Sequence, residues 1–181
     1  MESPEKILEN YCHFVRHWFT VPHVICNGQY EIDILAVEFP KIGSPRAYQI
    51  ESGVTISGGF ARLTAESFSE DDLKVRVKAP SPRRTIGYFL ERKFGLKVIE
   101  ERIADFGLNP EETQKIIVTW GWEEQAKEIA DAHNIALWNF PDLLIELASA
   151  SAEGKTCFTD DTARTLQLFM KSGYVSPGKD R

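Results

Sequence analysis

The chain is poor in the residues from which several kinds of site are built. It has only three cysteines, Cys12, Cys26 and Cys157, and four histidines, His13, His17, His23 and His133. The cysteines are far apart and form neither a CxxC pair nor a Cys/His group at zinc-ligand spacing, which argues against a zinc finger, a dithiol redox centre or a disulfide framework. His13 and His17 stand four apart but lack the intervening glutamate of an HExxH helix. Buried free thiols and half-buried or surface histidines are the expectation. No stretch reaches the ~20 apolar residues of a membrane-spanning helix, and the acidic start, Met1 to Glu9, does not have the basic-then-apolar layout of a secretory signal. A cytoplasmic protein with no membrane partner is expected. Ser57-Gly58-Gly59-Phe60 lacks the GK[ST] ending of a phosphate-binding loop and reads as a tight bend. The acidic run from Glu66 to Asp72 lacks EF-hand spacing and reads as a solvated loop.

What is present suits one globular domain. A chain of 181 residues with 43% hydrophobic and 27% charged content can close a single sizeable core. Its formal charge of −6 opposes nonspecific binding to nucleic acid, which depends on Lys and Arg displacing counterions from phosphates. The charge is uneven, however. Residues 74 to 97 carry Lys74, Arg76, Lys78, Arg83, Arg84, Arg92, Lys93 and Lys97 against Glu91 alone, so any polyanion is expected to bind there.

The hydrophobic pattern predicts a helix over 4–19, opened by Ser3-Pro4 and carried by Ile7, Leu8, Tyr11, Phe14, Val15, Trp18 and Phe19. Pro22 and the pair Val24-Ile25 begin a strand, and Asn27-Gly28 signals a two-residue hairpin into a second strand, Tyr30 to Phe39. A turn over Lys41 to Pro45 leads to a third strand from Arg46 to Ile56. Residues 60 to 82 read as irregular or as a short hairpin around Leu73 to Val77. Helices are then predicted over Arg83 to Phe94, stopped by Gly95, and over Lys97 to Phe106, closed by Gly107. Lys115 to Trp120 is a buried strand, Glu123 to His133 a helix, Ile135 to Trp138 a strand and Pro141 to Ala150 a helix. After a small-residue linker, Ser149 to Lys155, a terminal helix spans Asp160 to Lys171, and the last ten residues fray. Trp120, Trp122 and Trp138 are expected to close the core at strand ends rather than to stack bases.

Two segments could carry chemistry. Tyr30-Glu31-Ile32-Asp33-Ile34-Leu35-Ala36 lies on the second strand, and Tyr48-Gln49-Ile50-Glu51-Ser52-Gly53-Val54 on the third. Residues two apart on a strand share a face, so Glu31, Asp33 and Leu35 point one way, as do Gln49, Glu51 and Gly53 on the neighbouring strand. Asp33 and Glu51 can therefore converge on a hard cation. The succession helix, three-strand meander, helix, strand, helix, strand, together with these acidic segments, resembles the restriction-endonuclease-like, or PD-(D/E)xK, superfamily over roughly residues 5 to 148.

The resemblance implies an α/β fold with a mixed central sheet, a three-strand meander and a strand-helix-strand crossover, flanked by helices. It assigns 1–150 to that domain and 151–181 to a C-terminal helix and flexible tail packed on it. It further implies Asp33 and Glu51 as catalytic residues and metal ligands, Glu9 of the first helix as a third ligand, and Mg²⁺ or Mn²⁺ as cofactor. Gly53 stands where the motif has its lysine, and Ile32 where it has proline. In related proteins a neighbouring element can supply the lysine, and Lys74, Arg84 and Lys93 are the candidates. The expected function is a metal-dependent nuclease with a degenerate active site. The alternative is an inactive member that serves nucleic-acid binding or assembly. A homodimer through an exposed face of Trp120, Trp122 or Phe140 is compatible with either.

Overall fold

The computed structural model describes residues 3–54, 62–68, 84–153 and 161–172. The sequence readings of a bend at 57–60, a hairpin at 73–77, the basic residues 74–83, Cys157 and a frayed C-terminus lie outside those residues, as does the 69–72 part of the acidic loop.

The chain is an α/β protein built on an open five-stranded mixed sheet in the order β1-β2-β3-β4-β5. Helix α1 (Ser3–Phe14) is followed by β1 (Phe19–Ile25), β2 (Glu31–Glu38) and β3 (Arg46–Ser52), an antiparallel meander. Helix α2 (Ile86–Phe89) runs into a π turn (Leu90–Phe94), and α3 (Lys97–Asp105) follows. Strand β4 (Gln114–Thr119) pairs parallel with β3. Helix α4 (Glu124–Ala132) then crosses to β5 (Ile135–Asn139), parallel with β4, before α5 (Phe140–Glu153) and α6 (Asp161–Lys171).

The first helix is shorter than its periodicity implies. It ends at Phe14, and His17 takes a left-handed backbone (φ 58°) that turns the chain, so that Trp18 and Phe19 leave the helical stripe. Trp18 stacks on Tyr48 with ring centroids 3.9 Å apart, and Phe19 opens β1. Tertiary packing of the indole thus overrides a helical spacing that the sequence continues past Phe14. Pro22 is tolerated inside β1 because this is an edge strand. Asn27-Gly28 forms a 3₁₀ turn with Gly28 at φ 73° rather than a two-residue hairpin. The segment read as a linker from Ser149 continues α5 to Glu153, helped by the Ser151 hydroxyl donating to Ala148 O.

Alternation along the strands gives the sheet two different faces. Ile34 and Ala36 of β2, Tyr48 and Ile50 of β3, and Ile116 and Val118 of β4 pack under α1 and α5 with Leu8, Tyr11, Phe140, Leu143 and Leu147. On the other face the apolar core is split. Ile117 and Ile135 lie with Phe89, Phe94 and Ala126 beneath α2, the π turn and α4. Leu35 and Val24 lie with Ile99 and Ile103 beneath α3. The π turn crosses between these two clusters, and the polar residues of β2 and β3 face it there.

Candidate active site

Asp33 lies within β2, and Glu51 is one residue from the end of β3. Both are buried, at 7% and 0% exposure, on the face turned away from α1. An unpaired carboxylate in that position costs several kcal/mol, so its surroundings must either neutralise it or use it. The neutralising group is Lys93, carried by the π turn.

Lys93 Nζ lies 3.0 Å from Asp33 Oδ1 and 2.7 Å from Glu51 Oε2, and it donates to Glu31 O at 3.1 Å. The second oxygen of Asp33 accepts the Ser52 backbone N–H at 2.7 Å, tying the carboxylate of β2 to the backbone of β3. Glu51 Oε1 accepts from Gln49 Nε2 at 2.8 Å, and the same amide donates to Lys93 O at 2.8 Å. Glu51 Oε2, by contrast, has the Lys93 ammonium, 2.7 Å away, as its neighbour.

These contacts set the electrostatics. Burial, with the Asp33 carboxylate beside it, pushes the Glu51 pKa well above the usual carboxylate range, and Lys93 and Gln49 only partly offset this. Burial acts to lower the Lys93 pKa, but the Glu51 and Asp33 carboxylates outweigh it, so the ammonium is held above its ordinary value and stays charged. The thiol of Cys26, on the edge of the neighbouring cluster, is likewise raised by burial.

Position 53 is tightly packed. A Cβ on Gly53 would stand 3.3 Å from the Phe89 ring and 3.4 Å from Val118 O, whose carbonyl accepts the Gly53 N–H at 2.8 Å. Phe89, 2% exposed at the end of α2, fills the space a side chain would need. Its helix then delivers Lys93 four residues later. Of the three basic candidates named from sequence, Lys74 lies outside the described residues. Arg84 precedes α2, where its carbonyl accepts from Thr64 N–H. Lys93 meets both carboxylates.

Glu9 is placed elsewhere. It lies on α1, which covers the opposite face of the sheet, and its Oε2 pairs with Lys6 at 2.6 Å. Among the described residues no three of His, Cys, Asp and Glu gather into a group that could hold a metal ion, so the trio Glu9, Asp33 and Glu51 is not assembled. The donor set that remains is Asp33 Oδ1 and Glu51 Oε2. Two hard oxygens on adjacent strands are the donor type a small divalent cation takes, and the Lys93 ammonium stands between them in the position such a cation would compete for.

The other sequence candidates are structural. Trp120 packs edge-on against Phe140, and Trp138 sits among Tyr11 and Trp18. Phe140 is 3% exposed, so it offers no face for a second copy. All four histidines are exposed, and Cys12 and Cys26 are buried free thiols. Among the described residues no helix is long and apolar enough to cross a membrane.

Sequence reasoning overlooked the role of Gln49. It shares a face with Glu51, which the spacing gives, but its second partner is a carbonyl contributed by a segment 44 residues away. No family model, curated protein or solved structure matches the chain.

Proposed function

We propose that this chain is a metal-dependent nuclease of the restriction-endonuclease-like type in which Lys93 replaces the lysine absent from position 53. One observation carries this reading: an ammonium held by two buried carboxylates on adjacent antiparallel strands, at 3.0 and 2.7 Å. The succession of α1, the β1–β3 meander, α2 and α3, β4, α4 and β5 supports it, since that order is what the resemblance implies.

Asp33 and Glu51 would hold Mg²⁺ or Mn²⁺, which when bound polarises a phosphate oxygen and lowers the pKa of a coordinated water. Lys93, displaced from between the carboxylates, would present its charge to the phosphate and stabilise the negative charge that develops during attack. Ser52 N–H keeps Asp33 directed at the site. The described basic side chains of the same stretch, Arg84, Arg92 and Lys97, would offer charge to a phosphodiester backbone that the overall charge of −6 repels.

The closure of the triad favours a second reading. Lys93 is 12% exposed at its side chain, and its ammonium has three oxygen neighbours. That is also how an inactive binding or assembly module would seal a buried pair. Calorimetric titration of Mn²⁺ into wild type, Asp33→Asn and Lys93→Met, followed by incubation with single- and double-stranded DNA and RNA, separates the two. Binding lost in Asp33→Asn, with cleavage lost in Lys93→Met, supports the nuclease. A wild type that neither binds Mn²⁺ nor cleaves rejects it in favour of the inactive module.

A further inference from the structure

We infer that Gln49 is the positioning residue of this site, fixing both which oxygen of Glu51 faces the cation and where the π turn holds Lys93. The inference rests on the metal-site reading above. Gln49 is 2% exposed, and its single amide nitrogen spans two elements: it donates to Glu51 Oε1 on its own strand and to the backbone carbonyl of Lys93, both at 2.8 Å.

Neither bond is replaceable from nearby. Glu51 is fully buried, so bulk solvent does not orient its carboxylate, and the bond from Gln49 at Oε1 leaves Oε2 turned toward Lys93 Nζ. Lys93 belongs to the last turn of the π segment, whose final carbonyls lack onward helical donors. The Gln49 amide satisfies one of them. One side chain therefore fixes the acid and the base of the triad relative to each other, across two apolar clusters that would close more cheaply over a hydrophobic residue. Outer partners of this kind orient the groups that hold a metal without touching it.

The test is Gln49→Met, which keeps approximate volume and removes both donors, read by Mn²⁺ calorimetry and by the ¹⁵Nζ resonance of the Lys93 ammonium. Ile117→Val, on the same buried face and paired in register with Glu51, serves as the packing control. Gln49→Met is expected to weaken Mn²⁺ binding about 10- to 100-fold and to broaden or shift the ammonium signal, while Ile117→Val alters stability alone. Gln49→Asn, whose amide is one methylene too short to reach both partners, gives the same losses and replaces Gln49→Met if that variant does not fold. An unchanged Mn²⁺ affinity, or an equal loss in Ile117→Val, overturns the assignment. If wild type takes up no Mn²⁺, the nuclease reading fails separately and the Lys93 signal decides. Its persistence in Gln49→Met overturns the positioning role, and its loss supports it.

Discussion

Lys93 Nζ reaches Asp33 Oδ1 at 3.0 Å across 60 residues of sequence, and the same nitrogen stands 2.7 Å from Glu51 Oε2. The lysine belongs to the helical layer and the carboxylates to the sheet, so the triad also joins two layers of the fold. Replacing Lys93 therefore has two separable consequences.

Lys93→Met removes the counter-charge of the buried Asp33–Glu51 pair. Loss of one partner from a buried ion pair costs about 3–5 kcal/mol. The variant is expected to lose that much stability in urea unfolding at neutral pH without divalent cations. Added Mn²⁺ should restore part of it and should bind the variant more tightly than wild type, because the competing ammonium is gone. If Mn²⁺ gives no stabilisation, the two oxygens are not a cation site.

Glu51→Gln tests the buried acid through pH. The folded-state pKa of Glu51 is raised, so between the ordinary carboxylate range and that raised value the folded protein keeps a proton that the unfolded chain releases. Its contribution to stability is complete below the unfolded pKa and is lost as pH rises through the folded pKa. Lys93, whose pKa is also raised, loses its contribution only in the alkaline range. As pH rises above the ordinary carboxylate range, wild-type stability is therefore expected to fall more steeply than that of Glu51→Gln, followed by denaturant melts across a pH series. Equal slopes would mean that Glu51 is not the group retaining the proton.

Gly53→Lys should not repair Lys93→Met, although it restores the letters of the motif. The new Cβ meets Phe89 at 3.3 Å, and overpacking at such a site costs about 1–3 kcal/mol. The double variant is expected to be less stable than Lys93→Met and to show no cleavage. Adding Phe89→Leu should recover stability by opening space beside residue 53. Recovery of full activity without that third change would contradict the steric account.

Trp18→Ala should destabilise the protein by about 3–5 kcal/mol, a typical cost of truncating a buried aromatic. Trp18 is 3% exposed and stacked on Tyr48, with the Arg16 guanidinium 4.8 Å from its ring. Thermal unfolding measures the loss. A change below about 1 kcal/mol would mean that the end of α1 is fixed by something other than this stack.

The sheet was legible in the sequence because β2, β3 and β4 alternate or run apolar in the way half-buried and buried strands must. Val118 and Ile116 face one core while Ile117 faces the other. Asp33 and Glu51 were legible too, since spacing of two along a strand sets their face. What periodicity could not convey was the choice of Lys93 as a side chain standing between the two carboxylates. That choice depends on a change from α to π winding after Phe89, and the run Leu90-Glu91-Arg92-Lys93-Phe94 carries no residue that announces it. The end of α1 escaped for a similar reason: Trp18 continues the helical stripe but is recruited by Tyr48 on a strand 30 residues later, a pairing invisible to local pattern.

The π turn gives the site an unusual genetic fragility. Its wider winding accommodates a residue more than an α-helical path of the same rise would need, so the extra residue is absorbed within the turn and α3 keeps its place. Removing one residue from Leu90–Phe94 would let the segment return to α winding without displacing α3, and the side chains inside the turn, Lys93 among them, would be re-aimed. Codon loss at this point would yield a more regular helix and a different setting for the Lys93 ammonium. Changes of length in Leu90–Phe94 would therefore act on the site through winding, separately from any substitution of Lys93 itself.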